Sequence, residues 1–171
     1  MAELRKMTMG EVAEIAGDPK ETIRARMNRG IAPQEKTYGW ARLGVASTVH
    51  LAVHAELLRR TTNHQIALAG ANFIADSLAD LFRYTPDMIK RKGMLDGNYL
   101  IFRCIYAGIW TNHWCRSQDE ALHELGSHVF DSQHLDAAGF YFLNVSTLTD
   151  WAMDRIFDLQ GIEGNAAEAP K

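Results

Sequence analysis

Four basic residues, Lys20, Arg24, Arg26 and Arg29, fall within ten positions of one short segment, against a single acid, Glu21. Guanidinium and ammonium groups at this density pair with phosphate oxygens, and on a helix they reach base edges in a DNA major groove. With Ile23 and Met27 turned inward on a wheel of about 100° per residue, Glu21, Thr22, Ala25, Asn28 and Arg29 point outward. Arg24 and Arg26 lie on the flanks of that face. A few residues on, Lys36, Tyr38 and Arg42 set two bases around an aromatic ring, the composition of a phosphate-gripping loop. Trp40, between them, is expected to pack in the core.

The histidines suggest a second chemistry. His113, Cys115, His123, His128 and His134 lie within 22 residues, and zinc takes such ligands. The segment His123–His128 reads HExxxH, whose five-residue gap rotates the second imidazole by about 140° from the first on a helix. The two do not share a face, so ordinary polar histidines are expected, with no metal and no cofactor. His50 and His54 are four apart among Ala, Val and Leu, and a partly buried or interface position is expected for them. No catalytic constellation emerges: GxSxG, Walker A and GxGxxG patterns are absent. Asp150, Asp154 and Asp158, spaced by four, read as a solvated helix face. The aromatic run from Tyr99 to Cys115 reads as core, with a pocket or an assembly interface as the other use of such density. Cys104 and Cys115 have no CxxC spacing and are expected to be reduced and buried.

These residues require elements to hold them. Thr8 and Glu11 have the spacing of a capping box for a first helix from Met9 to about Ala16. Gly17-Asp18-Pro19 ends it and opens a second helix over Pro19–Arg29, with Asp18 as cap and Gly30 as its stop. Residues 31–42, bracketed by Pro33 and Gly39, form a non-helical excursion. Helices are expected over 43–60 and 63–84, the latter ending before Thr85-Pro86. Its apolar seam suits another helix or a second subunit. Beyond it, strands are expected over 98–106, 109–115 and 140–145, with helices over 119–130 and 149–159. The tail from Gly161 is small and polar.

Ala13, Gly17 and Ile23 stand at the spacing with which two helices cross closely around a tight turn, and Val12, Ile15, Ala16 and Met27 fill the shared core. At these residues the chain resembles a known family. Thr22-Ile23-Arg24-Ala25-Arg26-Met27-Asn28-Arg29-Gly30-Ile31 is similar to the second helix and exit of MerR-type winged helix–turn–helix proteins. That family reads Thr-Leu/Ile-Arg-Tyr-Tyr-Glu, then three further residues through a glycine to an apolar residue. Gly10-Glu11-Val12-Ala13 resembles its opening Ile-Gly-Glu-Val/Leu-Ala, with Met9 in place of the isoleucine. The resemblance spans residues 8 to about 80. It implies DNA contacts from Thr22, Arg24, Lys36, Tyr38 and Arg42, while Arg26 and Arg29 follow from the wheel alone. Lys20, Ala25 and Asn28 complete the expected contact set. Ala25-Arg26 replaces the family's tyrosine pair, and the long dimerising helix with its sensing loop is not evident.

The expected fold is therefore α+β. A winged helix–turn–helix over 1–62 leads through a linking or oligomerisation helix over 63–85 to a small α/β domain over 86–162 and a flexible tail over 163–171. Composition is compatible: the chain has 171 residues, 47% hydrophobic and 23% charged, within the globular range. A net charge of −3 hides an uneven distribution. Residues 1–60 carry ten bases and seven acids, whereas residues 61–171 carry eight and fourteen. A basic head on an acidic body fits a polyanion ligand at one end. No apolar stretch approaches the roughly 20 residues of a membrane span and no secretory leader is visible, so a cytoplasmic, nucleoid-associated location is expected. The functional expectation is a non-enzymatic, sequence-specific transcriptional regulator of bacterial or phage origin. It would bind double-stranded DNA as a homo-oligomer, preferably a dimer, with the C-terminal part serving oligomerisation or an effector or protein partner. The alternatives are a phage DNA-recognition or packaging component resembling a small terminase subunit and, further off, a metal-dependent enzyme using the histidine cluster.

Overall fold

The computed structural model describes residues 4–31, 42–84, 93, 95–106, 109–130 and 140–162. Among them the chain mixes helix and sheet. In order come β1 (Met7–Thr8), α1 (Met9–Ala16), α2 (Lys20–Asn28), β2 (Arg42–Leu43), α3 (Val45–Thr61) and α4 (His64–Tyr84). These are followed by β3 (Tyr99–Tyr106), β4 (Ile109–Cys115), α5 (Gln118–Phe130), β5 (Phe140–Asn144) and α6 (Val145–Gln160). Two compact units result. The first comprises residues 1–94 with 149–171, and the second residues 95–148. This differs from the expected division at residues 62 and 85: α4 lies in the first unit with α3, and most of α6 returns to that unit as well.

In the first unit, α1 begins as its sequence requires. The Thr8 side chain accepts from the Glu11 N–H and the Glu11 carboxylate accepts from the Thr8 N–H, closing the capping box. It ends at Gly17, whose φ of 66° lets the chain reverse where a side chain would be strained. One face of α1 is buried through Val12, Ala13, Ile15 and Ala16. The expectations for α2 need two corrections. Pro19 is the residue before the helix rather than its first turn, and Asp18 does not cap it. Met7 pairs with Leu43 and Thr8 with Arg42 in an antiparallel ladder, which ties the segment after α2 back to the start of α1.

α3 buries 11 of its 17 residues, and α4, which packs against it, buries Ile66, Ala67, Ala71, Ile74 and Leu78. Between them, the Asn63 carboxamide caps α4 by accepting from the Gln65 and Ile66 N–H groups. α6 begins at Val145, four residues earlier than expected, because Asn144 accepts from the Thr147 N–H and ends the strand by capping the helix. Ala152, Met153, Ile156 and Phe157 give α6 its buried face. The expected acidic stripe on this helix is not uniformly solvated, since Asp150 is half-buried and accepts from the Gly93 N–H at 3.0 Å.

The second unit holds a three-stranded antiparallel sheet in the order β4-β3-β5. Ile101 and Cys115 meet Ala121 of α5 in a small core, with Tyr99 and Leu125 packed against it. Ser117 caps α5 through the Glu120 N–H. The aromatic run divides between core and surface: Phe102 is buried, while Trp114 is 42% exposed and donates from Nε1 to Asn98.

Candidate nucleic-acid interface

Residues 20–29 and β2 hold those members of the expected contact set that lie among the described residues. α2 is held by one fully buried side chain, Ile23, and closes through Gly30, whose φ is 72°. The Ile31 N–H reaches back to the Arg26 carbonyl and the Gly30 N–H to that of Met27, so the helix stops cleanly. With Ile23 inward, Glu21, Arg24, Ala25, Asn28 and Arg29 are exposed. Their spacing puts a carboxylate, a guanidinium, a methyl and a carboxamide along one stripe, with a second guanidinium at its end. These groups match the base-edge and phosphate chemistry of duplex DNA.

Lys20 is exposed at the start of the same helix. Its Cε and Nζ lie 3.1 and 3.2 Å from where a Cβ would stand on Gly10, so the missing side chain at Gly10 admits the ammonium beside the first turn of α1. Arg42 is exposed on β2, opposite Thr8. Thr22 is half-buried beside Ile23. Lys36, Tyr38 and Trp40 lie outside the described residues.

Arg26 departs from the expectation. Rather than flanking the outward face, its guanidinium turns back to the Asp18 carboxylate, with Nη1 to Oδ2 at 2.5 Å. The two side chains are only 11% and 17% exposed. Asp18 also lies 3.6 Å from Nη1 of Arg59 on α3. Arg59 in turn donates to the Ala16 carbonyl at 3.1 Å and to Glu56 at 2.8 Å. Asp18, expected as a helix cap, is instead an ion-pair partner, and Arg59 is a residue that no motif marks. An acid and a base eight positions apart across a turn were visible signals for the first pairing. Nothing local points to the second, made across 41 positions.

Behind this cluster lie His50 and His54, 3% and 1% exposed. Nε2 of His50 and Nδ1 of His54 have no hydrogen-bond partner among the described residues. Burial and the nearby Arg26 hold the His54 imidazole well below its usual range, at about 4, so it is neutral. The His64 ring is 6.4 Å away, centre to centre. Among the described residues, no three His, Cys, Asp or Glu side chains gather as a metal site requires. In the second unit, His113 Nδ1 stands 3.8 Å from Glu124 Oε1, which also accepts from Arg103 at 3.4 Å. Burial pushes the Cys115 thiol up, which makes it a poor nucleophile.

No described helix is long and apolar enough to cross a membrane. Neither the scan against protein-family models nor the search of curated proteins returned a match for this chain.

Proposed function

We propose that this protein is a sequence-specific DNA-binding regulator whose residues 1–62 form a winged helix–turn–helix. α2 enters the major groove, while Arg42 and the segment before it grip the backbone. The observation that carries this reading is the exposed stripe Glu21, Arg24, Ala25, Asn28 and Arg29 on a helix anchored from behind by Ile23. The pairing of β1 with β2 supports it, because that ladder holds Arg42 beside the start of α1. The resemblance to MerR-type proteins at residues 22–31 points the same way. In this reading the chain acts by binding and performs no catalysis. Two copies present two reading helices to paired half-sites, and the second unit serves oligomerisation or a partner.

Selection from a pool of random duplexes tests the proposal. The expected result is enrichment of one motif that the full chain binds far more tightly than unrelated duplex at the same salt concentration. Recovery of unenriched pools, with binding that vanishes as salt rises, would remove sequence-specific recognition.

A further inference from the structure

We propose that Asp18 and Arg26 are positioning residues that set the rotation of α2 about its own axis, and so decide which side chains face DNA. The functional half of this inference rests on the DNA-binding reading above, and the geometric half does not. α2 has one fully buried side chain, Ile23, and no side-chain cap at its start. Met27, one turn on, is half-buried, so few apolar anchors fix the rotation of this nine-residue helix. The Arg26–Asp18 pair adds a polar anchor three residues after Ile23, from the flank of the helix to the turn before it. Asp18 is itself steadied from α3, because Arg59 approaches it at 3.6 Å and donates to the Ala16 carbonyl one residue before Gly17. The turn is thereby clasped from both sides.

Low exposure gives the pair its stiffness, because a charge-assisted bond shielded from water is stronger and less mobile than a surface one. The neutral imidazole of His54, buried at the same place, adds no competing charge to Asp18. Arg26, neutralised by Asp18, offers little to a phosphate. Lys20, Arg24 and Arg29 remain as the exposed bases of α2.

The test compares full-length wild type with Asp18→Asn, Arg26→Met and Arg26→Lys on the duplex recovered by selection. Asp18→Asn removes a negative charge, so electrostatics alone would tighten binding to DNA. Positioning predicts the opposite, a loss on the order of tenfold. For Arg26→Met, affinity falls while the slope of log K against log salt is unchanged. Loss of a phosphate contact would instead make that slope shallower by about 0.9. Arg26→Lys, which keeps the pair, recovers part of the affinity. Tighter binding by Asp18→Asn together with a shallower slope for Arg26→Met would make Arg26 a DNA contact and overturn the proposal. Hydrogen exchange separates the two halves without DNA. Amides of α2 exchange faster in Asp18→Asn and Arg26→Met, while those of α4 do not. Should wild type select no duplex, the DNA reading falls and exchange still decides the geometry. Unchanged exchange in α2 overturns the positioning role.

Discussion

The Arg155 guanidinium donates from Nη1 to the main-chain carbonyl of Ile15 at 3.1 Å, joining residues 140 positions apart. The same helix is fastened again where Arg5 and Gln160 exchange two hydrogen bonds, at 3.1 and 3.0 Å. The C-terminal helix is therefore part of the support beneath α1, and the start and end of the described chain depend on each other. Replacing Phe157, which is 2% exposed, by Ala is expected to cost about 3–5 kcal/mol, because the lost contacts leave a cavity. Arg155→Met, at an exposed position, should cost about 1 kcal/mol. Urea unfolding followed by circular dichroism measures both, and equal small shifts would show that α6 is only appended.

Contacts to DNA leave a different signature from support. Arg24→Ala combined with Arg29→Ala should weaken binding to the selected duplex and lower the salt slope by roughly 2, at about 0.9 per phosphate. If mobility-shift titrations across a salt series keep the wild-type slope, those guanidiniums do not meet phosphates. Asn28→Ala should alter preference at one base position and leave the slope alone.

Thr62 closes α3 with φ at 52° and ψ at 11°, a left-handed backbone that a β-branched residue adopts at a cost. Asn tolerates this conformation better. Thr62→Asn is expected to stabilise the chain by about 0.5–1 kcal/mol, seen as a rise in thermal midpoint. A fall would mean that the hydrogen bond from Thr62 Oγ1 to the Thr61 carbonyl outweighs the backbone strain.

Acid should destabilise the first unit through its buried imidazole. Folding lowers the His54 pKa from 6.5 to about 4, so the unfolded chain takes up a proton that the folded chain refuses. This contribution to stability is complete above 6.5 and is lost as pH falls from there through about 4. His50 shifts in the same direction by burial and adds to the slope. His54→Leu should flatten the dependence of unfolding free energy on pH between 6.5 and 4. It should cost little at pH 7, because Nδ1 has no partner to lose. An unaltered slope in that window would place the acid sensitivity elsewhere. Glu11, held at about 2 chiefly by its hydrogen bond from Arg5, acts lower down. Its contribution is present above its ordinary 4.5 and disappears as pH falls towards 2.

Local chemistry made much of the fold legible. The Thr8–Glu11 box, Gly17, Gly30, Asn63 and Ser117 act within a few residues, so the limits of α1 and the starts of α4 and α5 fall within a residue or so of their expected positions. Helical periodicity placed Ile23 inward and Glu21, Ala25, Asn28 and Arg29 outward, whereas Thr22, expected outward, is half-buried and Arg24, expected on the flank, is exposed. The strand over Phe140–Asn144 follows its alternation, but α6 starts at Val145 rather than Thr149 because the Asn144 carboxamide caps it.

The sequence by itself determined the limits of α1, the starts of α4 and α5, and the outward placing of Glu21, Ala25, Asn28 and Arg29 on α2, since caps and periodicity act over one or two turns. Tertiary structure alone decided that Arg59 reaches Asp18 at the turn before α2 and that α6 returns to support α1. Those contacts join residues up to 155 positions apart. Their partners are chosen by proximity in the folded chain, and spacing along the sequence carries no record of it.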